Sequence, residues 1–141
     1  MTIHRIRLAG PWESQSLDEQ LQPVGEISRC QLPFTVPASL HRQGVLLVRG
    51  FHRPTGIESA TVLRIVLKAV ACPALVQMNG EEIVPGVRNG TNTLKQDTAE
   101  GEYLFEITRL IQPFNHLSVR FITNSAEALA TLETVWLEIQ E

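Results

Sequence analysis

The run TVLRIVLKAV alternates apolar and charged side chains with a period of two. Leu63, Ile65 and Leu67 share one parity, whereas Arg64 and Lys68 share the other. Successive side chains of a β-strand point to opposite faces, so this period is typical of a strand with one face in a core and the other in water. The chain is therefore predicted to contain a sheet that is buried on one side only.

Extended runs of this kind recur along the chain, with Gly, Pro and Asn between them. They occupy residues 3–8, 27–33, 45–51, 103–107, 117–121 and 132–139. The pair Asn79-Gly80 predicts a type I′ hairpin, because both residues accept the positive φ that this turn requires. No sustained helical stripe is present. Eight or more short strands separated by turns predict an all-β chain, folded as an antiparallel β-sandwich or jelly roll.

Three segments carry more specific expectations. VLLVRGF is apolar on both parities up to Arg49, which predicts a central strand covered on two sides. SQSLDEQLQPVGE is polar, and we expect a loop or a single helical turn there. VPGVRNGTNTLKQDTAEGE has no periodicity, so a segment of that length is functional, is disordered or hides a short strand such as TLKQ.

Length and charge limit the class of protein. The 141 residues suit one domain, here residues 1–141, and the formal net charge is −3 without any basic run. Nucleic acid is therefore not an expected partner, because phosphate binding needs clustered positive charge. No apolar run approaches the roughly 20 residues that span a bilayer, so no membrane partner is expected either. The start MTIHRIRLAG carries charges where a signal peptide is apolar, which predicts a cytoplasmic protein.

The two cysteines, Cys30 and Cys72, both fall on segments with strand patterns. Free cysteine is often buried, and a cytosolic compartment keeps thiols reduced. Each is therefore predicted to be a small buried apolar residue, and a disulfide bridge is not expected.

The order of several motifs resembles a known domain. LLVRGFHRP, then LRIVLKAVACPALVQMNGEEI, then YLFEITRLIQPFNHLSVRF resemble the jelly-roll sugar-binding domain at the N-terminus of family 2 glycoside hydrolases, a member of the galactose-binding-like fold. The resemblance covers residues 45–123. The matching positions are Arg49, Phe51, Pro54, Asn79, Gly80, Phe105, Ile107, Thr108, Leu110, Ile111, Asn115, Leu117 and Val119.

The resemblance implies a galactose-binding-like fold and an accessory domain without catalysis, because 141 residues leave no room for the catalytic barrel of those enzymes. Two features depart from the family pattern. The usual Gly before the Asn of the turn is missing in PFNHL, and residues 85–101 match no family pattern.

The carboxylates do not suggest a catalytic pair. Hydrolysis of a glycosidic bond by two carboxylates needs them about 5 to 10 Å apart across one bond. Glu81 and Glu82 are adjacent, so on a strand they point to opposite faces and belong to a solvated hairpin arm. The chain is therefore not expected to be an enzyme.

Metal ligands are also sparse. His4, His41, His52 and His116 lie in separate segments without HxH or CxxC spacing, so no zinc site is predicted. Calcium, by way of Asn89, Asn92 and Asp97, stays a minor alternative, because hard cations favour more than one charged oxygen. No cofactor is expected.

Sugar binding needs an aromatic surface for stacking and planar polar groups for hydroxyls. The candidate ligand-binding residues are Arg49, Arg88, Asn89, Asn92, Trp12 and Trp136. Each has a structural alternative. Trp12 suits a plug at the edge of the core, and Arg49, on the apolar parity of its strand, suits an internal salt bridge. The loop residues are equally typical of solvated loop, while Trp136 lies on the outward parity of the last strand.

Two functions follow from these features. The first is a non-catalytic module that binds carbohydrate through rim loops. The second is a structural or interaction protein in which the same sandwich associates with itself, since exposed sheet edges need covering. The balance of 43% hydrophobic to 19% charged residues favours a homo-oligomer with the strand LETVWLEI near the contact.

Overall fold

The computed structural model describes residues 2–36, 44–71, 73–86, 100–122 and 130–141. Within these ranges the chain forms eleven strands and no helix, so the predicted all-β class is confirmed, and no helix in them can cross a membrane. The strands are β1 (Ile3–Arg7), β2 (Trp12–Leu17), β3 (Pro23–Cys30), β4 (Phe34–Thr35), β5 (Val45–His52), β6 (Val62–Val70), β7 (Leu75–Met78), β8 (Glu81–Glu82), β9 (Glu100–Glu106), β10 (Phe114–Phe121) and β11 (Thr131–Gln140).

The strands form two antiparallel sheets that pack as a sandwich. Sheet A has the order β1-β11-β6-β9, with the short β4 also paired to β11. Sheet B has the order β3-β2-β5-β10-β7-β8. The predicted sandwich is therefore confirmed, and β5 is a central strand of sheet B, as the apolar run in VLLVRGF indicated.

The core lies between the sheets and follows the alternation of the sequence. Leu63, Ile65 and Leu67 of β6 are fully buried, and the inward residues of β10 and β11 are buried with them. At roughly 1.5–3 kcal/mol for each large apolar side chain removed from water, this layer dominates the stabilisation of the fold. Val66, on the outward parity, is also buried, since its register neighbours are Trp136 and Leu104.

The Asn79-Gly80 hairpin joins β7 to β8 as predicted. Asn79 has φ 54° and Gly80 has φ 83°, both in the left-handed region that the turn requires. The Asn79 side chain also holds the neighbouring strand: its Oδ1 accepts from His116 N at 2.8 Å, and its Nδ2 donates to Leu110 O at 3.0 Å. The hairpin therefore fixes where β10 begins.

Asn115 extends this network to β5. Its side chain is fully buried, and its Oδ1 accepts from Gln112 N at 2.7 Å and from Asn79 Nδ2 at 3.0 Å. Its Nδ2 donates to Gln112 O at 2.9 Å and to Phe51 O at 3.3 Å. Every polar atom of this buried amide has a partner, so Asn115 positions the end of β5 against the start of β10.

The prediction of a loop or a single helical turn over residues 14–26 is wrong. β2 and β3 form a hairpin instead, with a bulge between Ser14 and Ser16. Asp18 closes its turn, because Oδ1 accepts from Gln20 N and Gln22 N, both at 2.9 Å. β3 is the edge of sheet B and is exposed along nearly its whole length, so neither face requires apolar residues.

β1 departs from expectation as well. It was predicted to be half-buried, but every residue of β1 is exposed, and Ile6 is 44% exposed. β1 is the edge strand of sheet A, and the first core residue of this region is Leu8, which follows it.

Cys30, at the end of β3, is a half-buried free thiol. Burial raises its pKa, and a hydrogen bond with Ser14 opposes the shift. Cys72 lies outside the described residues.

Candidate functional site

A cleft opens where β5 loses one of its two neighbours. β2 pairs with β5 only from Val45 to Val48, whereas β10 pairs with β5 along its whole length as far as His52. Before β2 the chain still belongs to sheet A, because Leu8 N donates to Val135 O at 2.9 Å. From Arg49 onward, therefore, one edge of β5 has no neighbouring strand and faces an opening beside β1.

We call this opening the basic cleft. Its volume is about 540 Å³, within the range of small-molecule sites. Ile6, Leu8, Phe51 and Leu137 supply apolar surface from both sheets. An apolar surface of that kind can contact the apolar face of a ring, but it does not by itself determine which ring binds.

The cationic lining gives the basic cleft its name. Arg7 from β1, Arg49 from β5 and Arg53 just after β5 all line it. Among the described residues no Asp or Glu lines the cleft, and none of these three guanidinium groups has an ion pair. Uncompensated charges of one sign in a concave site raise the local concentration of anions.

Arg49 is the most constrained of the three. It lies on the same parity as the buried Leu47 and Phe51, and it is itself half-buried. Its Nη1 donates to Gly50 O at 2.6 Å, while its Nε is buried without a hydrogen-bond partner. The favoured interpretation of Arg49 as a salt-bridge residue is therefore not met in the described part of the chain.

An aromatic rim borders the basic cleft. Phe114 is 44% exposed and lies between two imidazole rings, with centroids 4.8 Å from His52 and 5.1 Å from His116, both edge to face. Gly50 makes room for it, because a Cβ there would lie 2.6 Å from Phe114 Cζ. An exposed aromatic ring beside polar donors is a stacking surface of the kind that sugars use.

The two tryptophans fall in different environments. Trp12 is fully buried, and its Nε1 donates to Leu8 O at 2.8 Å. It is a core residue and presents no ring face to a ligand, so we withdraw it as a binding candidate. Trp136 is half-buried on the outer face of sheet A, where Arg7 Cζ lies 5.8 Å from its ring centroid. It is not part of the basic cleft.

The loop candidates Arg88, Asn89 and Asn92 lie outside the described residues, as does the calcium candidate Asp97. In the described ranges no group of three or more His, Cys, Asp or Glu side chains could hold a metal ion. Glu81 and Glu82 are both exposed on β8, in the hairpin arm where they were expected.

Most residues of the site are not among the candidates predicted from the sequence. Of those candidates only Arg49 lines the basic cleft, together with Arg7, His52, Arg53 and Phe114. The run RGFHR did contain a signal, because it concentrates cationic side chains at one strand end. The contribution of Arg7 had no such signal, since it depends on how the chain crosses between the sheets.

No protein-family model matches the chain, and no curated protein matches it. Solved structures do match. An FMN-binding β-glucuronidase from Faecalibacterium prausnitzii L2-6 aligns over 97% of this chain and 22% of its own, with a TM-score of 0.73 and 16% identity. A putative β-galactosidase from Bacteroides fragilis aligns over 100% of this chain and 24% of its own, with a TM-score of 0.71 and 12% identity.

A β-glucuronidase from Ruminococcus gnavus aligns over 96% of this chain and 29% of its own, with a TM-score of 0.66 and 14% identity. The fold of this chain is therefore that of a β-sandwich found within glycoside hydrolases. The chain spans less than a third of the length of each of these enzymes.

Proposed function

We propose that the chain is a non-catalytic carbohydrate-binding module, of the same type as the sugar-binding domain of family 2 glycoside hydrolases. The observation that carries this proposal is the basic cleft, which combines apolar surface, planar guanidinium donors and an exposed aromatic ring. Sugars present apolar C–H faces and many hydroxyl acceptors, so this combination suits them. The similar solved structures are enzymes named for sugar substrates, which agrees with the proposal.

The proposal excludes catalysis by this chain. Hydrolysis by paired carboxylates needs two of them across the bond that is cleaved. No Asp or Glu among the described residues lines the basic cleft, and the chain spans only about a quarter of the length of the similar enzymes. We expect no turnover of aryl glycosides by the purified protein.

A thermal-shift screen against neutral and acidic oligosaccharides tests binding. A ligand at one hundred times its Kd stabilises the folded state by about 2.7 kcal/mol, which is a measurable rise in Tm. We expect at least one saccharide to stabilise the wild type and Phe114→Ala to weaken that effect. Ile27→Ala is the matched control, because Ile27 is 58% exposed but lies on the β3 edge. A screen in which no saccharide raises the Tm would refute the proposal.

A second function, a self-associating scaffold, is favoured by the free sheet edges. β3 is an eight-residue edge strand with Val24 46% and Ile27 58% exposed. Such an edge is a template for pairing with another strand. Light scattering at several concentrations tests this function: a dimer that Ile27→Lys dissociates would support it, and a monomeric mass throughout would exclude it.

A further inference from the structure

We infer that the basic cleft takes an acidic saccharide, one that carries a carboxylate or a sulfate group, in preference to a neutral sugar. This inference rests on the proposed function and names its ligand class. It is carried by the arginines that line the cleft, by the lack of a carboxylate among its described lining residues and by the apolar surface beside them.

The charge of the cleft is a local feature. The protein is acidic overall, with 15 Asp and Glu against 12 Lys and Arg. Even so, Arg49 and Arg53 line the same cleft, Arg7 lines its edge with its guanidinium over the Trp136 ring, and in the described part of the chain no carboxylate lines it. The positive potential therefore comes from placement and not from composition, and it favours an anionic ligand.

Arg49 brings a half-buried guanidinium to the cleft, and no described carboxylate pairs with it. A buried donor without a partner costs free energy, and the cost is larger for a charged group. Nη1 donates to Gly50 O and Nε is buried, so it is the terminal nitrogens of the guanidinium that can donate to a ligand. The planar guanidinium fork matches two oxygens of a carboxylate or sulfate, so such a group can bind through parallel hydrogen bonds.

The apolar surface selects a ring over a bare anion. Ile6, Phe51 and Leu137 line the same cleft as the arginines, and Phe114 stands at its rim. A bare sulfate or phosphate would leave this surface in water. A pyranose with an acidic substituent covers it and meets the guanidinium groups at once, and about 540 Å³ accommodates a ring of that size.

Isothermal titration calorimetry with matched probes tests the inference. The probes are galacturonate oligosaccharides, sulfated galactose oligosaccharides, neutral galactose oligosaccharides, sodium sulfate and a single-stranded DNA oligonucleotide. We expect an acidic saccharide to bind at least about tenfold more tightly than its neutral counterpart, and the difference to shrink as salt screens the charges. The carboxylate and sulfate probes identify which acidic group is preferred.

Arg49→Gln should remove most of this preference, and Arg49→Lys should restore only part of it, because a lysine keeps the charge but not the fork. Arg53→Gln, at an exposed position, tests the same charge without risk to folding. Arg120→Gln is the matched control: Arg120 lies on the same sheet, also has a buried Nε without a partner, and donates to Leu21 O at 3.2 Å outside the cleft. It should leave affinity unchanged.

The remaining outcomes separate the inference from the proposed function. Equal affinity for neutral and acidic saccharides would overturn the inference and leave the proposed function standing. Binding of sulfate as tight as that of the acidic saccharides would overturn the inference, since the ring would then contribute nothing. Equally tight binding of DNA would also overturn it, since the cleft would then accept any polyanion. Absence of binding to every saccharide would overturn both.

Discussion

Two groups of arginines in this protein have opposite environments. On the outer face of sheet A, Arg5 and Arg64 share one carboxylate, that of Glu138. The Arg5 Nη2 to Glu138 Oε1 distance is 3.1 Å, the Arg64 Nη1 to Glu138 Oε2 distance is 3.7 Å, and the Glu138 side chain is only 3% exposed. The basic cleft is lined by Arg7, Arg49 and Arg53, and no described carboxylate lines it.

The difference separates charge that stabilises the fold from charge that is available to a ligand. Glu138 is buried because its two arginines replace the water it loses. Arg49 also loses water, yet no described acidic side chain compensates it. The described lining of the cleft holds no carboxylate, and this is the ground on which an anionic ligand is proposed for it.

The largest expected effect is on stability, at the paired site. Glu138→Gln removes the charge that holds Arg5 and Arg64, and breaking a buried pair costs up to several kcal/mol. Both arginines keep partial contact with water, at 39% and 29% side-chain exposure, so we expect a loss of about 2–3 kcal/mol in the free energy of unfolding.

Urea denaturation with an unchanged m-value measures this loss. Glu81→Gln on the exposed hairpin arm is the control and should stay within about 0.5 kcal/mol. If Glu138→Gln is as stable as the wild type, the paired arginines do not stabilise the fold and the contrast between the two groups disappears.

The next effect concerns association through the same face of sheet A. β11 lies between β1 and β6, so only its outward side chains, Trp136 among them, can reach a second copy. If the protein forms a homo-oligomer there, Trp136→Glu should weaken it by about tenfold or more, because a charge without a partner would be buried. Sedimentation or light scattering over a concentration series measures this, and a monomeric wild type would remove the hypothesis and leave the face of sheet A free.

A smaller effect is expected when one arginine from each group is replaced and the losses of stability are compared. Arg64→Met removes a partner of Glu138 and a hydrogen bond from Nη1 to Gln140 Oε1 of 2.6 Å, so we expect a loss of about 1–2 kcal/mol in stability. Arg49→Met keeps the length of the side chain and removes an unpaired charge, so stability should change by less than about 1 kcal/mol. Equal losses in urea denaturation would make Arg49 a structural residue.

Much of the fold could be predicted because most strands separate two unlike environments. In β6, β10 and β11 one face meets the core and the other does not, so the alternation of residues such as Leu117 and Val119 marks the inward side. β2 could not be predicted in this way, and alternation predicted only the second half of β3, from Ile27 to Cys30. β3 is an edge strand that lies in water on both faces, and an exposed strand such as PVGEISRC needs no periodic pattern.

The site was less predictable than the fold. Arg49 could be placed by its parity, since it follows Val45 and Leu47 on the buried side of β5. The open edge beside it depends on the register of β2, whose last pair with β5 joins Glu13 to Val48. Nothing local in the sequence encodes that register or brings Arg7 to the cleft.

The smallest effect is expected at Arg7, which belongs to both regions. It lines the basic cleft, and its guanidinium also lies over the Trp136 ring on the outer face of sheet A. An exposed cation–π contact contributes about 0.5–1 kcal/mol, so Arg7→Gln should lower stability by no more than that. Loss of one of the three arginines that line the cleft should weaken the binding of an acidic saccharide by about two- to threefold at low salt.

Urea unfolding followed by fluorescence measures the stability of Arg7→Gln, and calorimetry measures its affinity, with the exposed Arg29→Gln on β3 as the control. A loss of affinity as large as that of Arg49→Gln with unchanged stability would assign Arg7 wholly to the cleft, whereas unchanged affinity with reduced stability would assign it to the face of sheet A and reduce the binding group to Arg49 and Arg53.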